Sequence, residues 1–255
     1  MKYKNIILQK ESGIFTITMN RPDKLNACNM GMFSEIDQAL SEAESDSEVR
    51  VVVITGAGDK AFSAGVDIEA LNFKDLNGSS NWVKIDASTF RHIENVPVPV
   101  IAAVNGDAFG FGCKIAIVSD IAIASDRARF GLQGIRVGAV HMITLGRGMD
   151  VLGRQRLGYM LFSGDIIDAQ KAEHYGIVSK VVPYENLYTE VYGLAKRIAE
   201  YSPLAIQTIK KLLHRGCDDD YRYEDVLTPH LLVMEDLKEG SRAFIEKRRP
   251  IFKGK

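Results

Sequence analysis

The sequence has no excess of either charge: 32 lysine and arginine residues stand against 33 aspartate and glutamate residues, a formal net charge of -1. Nucleic-acid binders usually carry a basic stripe. Here the two signs are interspersed, so no nucleic-acid partner is expected. Cysteine is scarce, and Cys28, Cys113 and Cys217 lie too far apart for a zinc-ligand spacing or a disulfide framework. No metal site is expected, and a reducing compartment fits best. Long apolar runs are missing as well: none reaches the ~18 residues of a membrane span, and the start MKYKNIILQKESG lacks the apolar core of a signal peptide. The expectation is a cytoplasmic protein without a membrane partner. A GK[ST] phosphate loop is absent, and Ile115 stands where a dinucleotide fingerprint would place its third glycine.

What is present is the composition of a globular protein. The 255 residues are 46% hydrophobic and 25% charged, enough for one large α/β domain or two small ones. GIFTITMN (13–20) alternates apolar residues with threonine and predicts a half-buried strand. Met32, Phe33, Ile36, Leu40 and Ala43 follow at helical spacing, and VRVVVITGAG (49–58) predicts a strand covered on both faces. VPVPVIAAVNG (96–106) and IAIVSDIAIAS (115–125) contain comparable runs. Strands separated by helical patterns favour a parallel sheet, with ligand clefts beyond the carboxyl ends of the strands. DLNGSSN (75–81) reads as the tip of a mobile loop. After residue 150 helical periodicity dominates, and HLLVMEDLKEGSRAFIEKRRPIF predicts a long helix stopped at Pro250.

Two segments share a logic. AFSAGVDIEAL (61–71) and DAFGFGCKIAI (107–117) each set small residues at a tight turn before a helical pattern, which leaves backbone N–H groups and a positive helix end free. Facing each other, two such turns make an oxyanion hole for an enolate or a tetrahedral intermediate. Read singly, either turn is equally well a tight connection.

With NRPDKLNA (20–27), FGLQGIRVG (130–138), AEHYGIVSKVVP (172–183) and AFIEKRRPIFKG (243–254), these blocks closely resemble the enoyl-CoA hydratase/isomerase family, the crotonase superfamily, over nearly the whole chain. The resemblance implies an α/β fold, a spiral of ββα units over residues 1–195, with a helical trimerisation region over 196–255. It implies homotrimers or hexamers and an acyl-CoA substrate, with coenzyme A as part of that substrate and no further cofactor. Carried over by position, the N–H groups of Val66 and Phe111 form the oxyanion hole, and the Phe111 ring narrows the acyl or pantetheine channel. Ala64, Asp67, Trp82 and Gln133 line the substrate site, and Phe252 and Lys253 match an element that holds the nucleotide end of coenzyme A.

The same matching exposes a gap. Hydratases of the family carry two catalytic glutamates, and at those places this chain has Lys114 and Gly134. Adding water to a double bond needs a base and an acid, so two-glutamate hydration is not expected. Lys114 becomes a catalytic candidate, as a base or as a protonated partner for a carboxylate or enolate; otherwise it is a surface lysine or one paired with Asp67 or Asp107. His141, in a segment where relatives place a variable catalytic residue, is the second candidate and can activate water at neutral pH. His230 sits beside an apolar run, while His92, His174 and His214 read as exposed helix residues. The expected activity is acyl-CoA C–C hydrolysis, decarboxylation or isomerisation. An atypical hydratase acting on an unusual acyl group and a non-catalytic acyl-CoA-binding subunit remain the alternatives.

Overall fold

The computed structural model describes residues 3–71, 75–140, 146–214 and 233–251. Three of its strand pairs, at 51–63, 100–109 and 121–131, consist of a longer apolar strand followed by a short one, and the two members enter different sheets. The larger sheet holds β1 (Ile6–Glu11), β2 (Ile14–Met19), β3 (Val51–Gly56), β5 (Val100–Val104), β7 (Ile121–Ser125) and β10 (Lys180–Val182), in that spatial order. The smaller sheet holds β4 (Ala61–Ser63), β6 (Asp107–Phe109), β8 (Arg129–Gly131) and β9 (Ile166–Asp168). Helices α2 (Leu76–Asn95), α3 (Phe111–Val118) and α4 (Gly146–Ser163) follow β4, β6 and β8. The β3–β4–α2, β5–β6–α3 and β7–β8–α4 units therefore repeat one spiral step. Within the larger sheet β1 is antiparallel to β2, and every other neighbouring pair is parallel.

Burial follows the side-chain alternation of a strand. All of β3 is buried because Val52 and Ile54 enter the main core while Val51 and Val53 meet a second apolar layer on the opposite face. That layer is completed by α6 (Leu187–Ala199), through Leu187, Val191 and Ala195. The main core is closed by α1 (Met30–Ser45), whose Met32, Phe33, Ile36, Leu40 and Ala43 are all buried, as their helical spacing predicts. The Asn29 side chain caps α1 by accepting from the Met32 N–H at 2.9 Å.

Three expectations change. Residues 75–81 are not a loop tip: Asp75 caps α2 by accepting from the Gly78 N–H at 2.8 Å, and Leu76–Asn81 form the first turns of the helix. The glycine and serines that suggest a loop are carried by that cap and by buried Ser79, Trp82 and Val83. Residues 68–71 form a 3-10 turn rather than an α-helix. The boundary expected at residue 195 falls inside α6, which packs on the larger sheet along its length. Beyond it lie α7 (Pro203–Leu213) and α8 (Glu235–Ile245), the latter against the 3-10 turn of residues 133–137. Among the described residues no helix is long and apolar enough to cross a membrane, and no cluster of ligand side chains could hold a metal ion.

Candidate functional site

The two glycine-rich turns end up side by side. Cys28 forms an isolated parallel bridge to Val66: the Cys28 N–H donates to the Gly65 carbonyl and the Asp67 N–H to the Cys28 carbonyl, each at 2.8 Å. The bridge thus uses the Gly65 carbonyl and the Asp67 N–H and leaves the Val66 N–H out of it. Gly65 makes this turn with φ +113°, a conformation that side chains disfavour. On the other side, Phe111 is the first residue of α3, and its N–H has no intrahelical acceptor. Close packing of α3 on β4 requires Gly112, because a Cβ there would stand 2.7 Å from the Ser63 carbonyl oxygen. Val66 and Phe111 both border a cavity of about 490 Å³. The Val66 turn and the N-terminus of the buried helix α3 thus border one space.

Lys114, one turn into α3, is 3% exposed and borders the same cavity. Its Nζ donates to both carboxylate oxygens of Asp86, at 2.8 and 2.7 Å, and lies 4.3 Å from the centroid of the Phe90 ring. Neither Asp67 nor Asp107 is its partner: Asp67 accepts from Arg21 at 3.0 Å, and Asp107 accepts from Arg129 at 2.8 and 2.7 Å. Desolvating two charges offsets most of what their attraction gains, and a well-packed apolar pair is often as stable, whereas removing one partner alone costs about 3–5 kcal/mol. The pair is therefore poorly explained by stability.

Asp86 is the residue that sequence reasoning missed. Trp82, Asp86 and Phe90 lie four residues apart and stack along one face of α2. That spacing is visible in the sequence, but a loop reading of 75–81 hides the register.

The remaining candidates divide. Ala64, Trp82 and Gln133 border the cavity beside Val66, Phe111 and Lys114. Asp67 does not; it holds Arg21, whose Nη1 donates to the Ala27 carbonyl at 2.6 Å, and so braces the Val66 turn from behind. The Phe111 ring does not narrow a channel. It is fully buried, edge-on to Phe33 at 5.0 Å and tilted against Phe90 at 5.4 Å, because the core between α1 and α2 offers it an aromatic slot. His141, His230, Phe252 and Lys253 lie outside the described residues. His92 and His214 are not exposed, since each packs against acidic side chains: His92 against Asp37 at 2.7 Å and His214 against Asp120 at 2.8 Å. Burial pushes the Cys28 thiol well above its ordinary range and that of Cys113 up to about 12, so neither offers a thiolate nucleophile.

The Enoyl-CoA hydratase/isomerase family profile matches residues 9–255. The chain belongs to the enoyl-CoA hydratase/isomerase family. It is 37% identical over 262 residues to the short-chain-enoyl-CoA hydratase of Clostridium acetobutylicum, covering 98% of this chain and 97% of that one. Among solved structures, an enoyl-CoA hydratase from Mycobacterium avium subsp. paratuberculosis superposes with a TM-score of 0.90 at 28% identity, over 99% of this chain and 100% of that one. A methylmalonyl-CoA decarboxylase in complex with 2-nitronate-propionyl-CoA superposes with a TM-score of 0.87 at 27% identity, over 100% of each chain. The spiral fold is thus that of the enoyl-CoA hydratase/isomerase family.

Proposed function

We propose that this protein transforms an acyl-CoA thioester through an enolate whose oxygen is held by the N–H groups of Val66 and Phe111, with the Lys114 ammonium beside the reacting carbon. The reaction this favours is carbon–carbon cleavage of the decarboxylation type. The observation that carries the reading is the buried Lys114–Asp86 pair on the cavity wall. Asp86 and Asp107 are the carboxylates that border the cavity among the described residues, and both oxygens of each are already engaged by a cation. Neither is free to take a proton from attacking water.

Decarboxylation needs no such base. The bond from the α-carbon to the departing carboxylate breaks, its electron pair becomes the enolate, and the negative charge arrives on the thioester oxygen between the two N–H donors. Lys114 attracts the carboxylate while it is bound and then gives a proton to the α-carbon, recovering one from solvent after carbon dioxide leaves. The full-length fold match to a methylmalonyl-CoA decarboxylase supports the reading. Carbon–carbon hydrolysis and double-bond isomerisation need a base as well, for which His141 is the candidate.

Hydration is the second reading, favoured by the identity of 37% to a chain named as a hydratase. It requires Lys114 or His141 to take over the work of the glutamates. The test is mass-spectrometric turnover of crotonyl-CoA, methylmalonyl-CoA, and cyclic enoyl- and oxoacyl-CoA thioesters in heavy-oxygen water. Loss of carbon dioxide from a malonyl-type thioester is expected. Incorporation of one heavy oxygen with all carbon retained would replace the proposal by hydration or ring hydrolysis. Thioester binding without any product would indicate an acyl-CoA-binding subunit.

A further inference from the structure

We propose that Asp86 is a positioning residue: by taking two of the three N–H donors of Lys114, it leaves the third for the substrate. This rests on the proposed role of Lys114 and deepens it. A lysine ammonium ends a flexible stem of four carbons and carries three donors and no acceptor. In α3 the stem is buried, and two of the donors go to the two oxygens of Asp86 at 2.8 and 2.7 Å. The Phe90 ring, one helical turn along α2 from Asp86, covers the ammonium from 4.3 Å. No oxygen or nitrogen of the described residues accepts the third N–H, and Lys114 borders the cavity that Val66 and Phe111 also border.

A bidentate contact defines direction as well as distance. With one acceptor the ammonium could swing about its contact; with two it is held in one orientation against the wall made by α2. Among the described residues, the charged or titratable groups around the pair include Arg21 with its partner Asp67, behind the Val66 turn, the Cys28 thiol, which feels both members of the pair, and Asp107 and Arg136, which border the same cavity. Both Asp86 oxygens are engaged by Lys114, so the proposed effect of Asp86 on catalysis passes through that ammonium.

The test uses the full-length protein and the thioester it turns over, comparing D86N, D86E, K114M and the D86N/K114M double variant. We expect D86N to lose about 30-fold or more in kcat with KM within about threefold, because the donor that acts in the transition state is misplaced. D86E should recover part of kcat, and adding D86N to K114M should cost little more, the signature of residues acting as one unit. An inactive K114M beside a D86N with wild-type kcat overturns the positioning role and leaves the proposed function standing. A K114M with wild-type kcat overturns the proposed function itself. Where D86N does not fold, a crystal structure of the wild-type protein with an unreactive thioester analogue decides. Lys114 Nζ should keep both Asp86 contacts and stand within about 3.2 Å of a ligand oxygen; an ammonium that leaves Asp86 to reach the ligand overturns the inference.

Discussion

Replacing Phe111 by alanine separates what this residue's backbone does from what its ring does. The ring is fully buried and meets Phe33 edge-on at 5.0 Å and Phe90 at 5.4 Å. A Phe side chain buries about 150–250 Å², and at about 25 cal/mol per Å² that is roughly 4–6 kcal/mol as an upper figure, part of which the alanine methyl retains. Aromatic pairing adds about 0.5–1.5 kcal/mol per pair, and the void left behind adds its own cost. A loss of about 3–5 kcal/mol follows, the range usual for Phe to Ala in a core. In a domain of this size, each kcal/mol moves Tm by about 2–4 °C, so the F111A melting point should fall by about 6–20 °C in a calorimetric scan. The N–H at position 111 survives the change. Measured well below its own Tm, F111A should keep kcat within about threefold of wild type, about 0.7 kcal/mol of barrier. A Tm within about 2 °C of wild type together with an altered acyl-chain preference would refute the reasoning, because the ring would then lie in the substrate's path.

Further outcomes follow from other parts of the molecule. G112A should lose both stability and kcat, since a Cβ 2.7 Å from the Ser63 carbonyl oxygen forces α3 off β4 and parts the two turns; urea melts and initial rates check both. D67N should lower kcat/KM by about tenfold while moving Tm little, because Arg21 no longer braces the Val66 turn. Burial alone would raise the Asp120 carboxyl, but hydrogen bonds from His214, Lys210 and the Val100 N–H outweigh it and hold it below its ordinary range. Its stabilising contribution is therefore complete above the unfolded value of about 3.9 and is lost as pH falls through the lower folded one. D120N should flatten that acid limb in urea melts run against pH. Glu239 is held down to about 2 mainly by its hydrogen bonds from Arg248, and it also accepts from the Ile251 N–H at 3.0 Å. E239Q should speed hydrogen exchange at that amide.

Much of the fold is legible in the sequence because local pattern and tertiary burial agree there. The α1 segment announces itself by a period of 3.6 and buries the face that pattern selects, and the continuous β-branched run of β3 is buried on both faces as it predicts; β2, whose alternation predicts one buried face, is covered on both because α6 packs over the threonine side, Tyr192 meeting the Thr16 hydroxyl at 3.2 Å. The two glycine-rich turns are legible too, since Gly65 and Gly112 are required by backbone geometry that no other residue meets cheaply. What escaped depends on contacts between distant elements. Asp86 is 28 residues from Lys114, and only the packing of α2 on α3 joins them. The ring of Phe111 was expected in the channel, but its direction is decided by the vacancy between Phe33 and Phe90, which no local pattern records. The same holds for His92 and His214, whose acidic partners come from other elements.

The measurement that tests the account most directly is thioester binding and turnover, followed together, for wild type and K114M on a malonyl-type acyl-CoA. With the Val66 and Phe111 donors intact, K114M should bind the thioester within about tenfold of the wild-type Kd, equivalent to about 1.4 kcal/mol, and lose turnover by about 100-fold or more. Turnover by K114M at the wild-type rate would contradict the claim that its ammonium is the charged group of the reacting site.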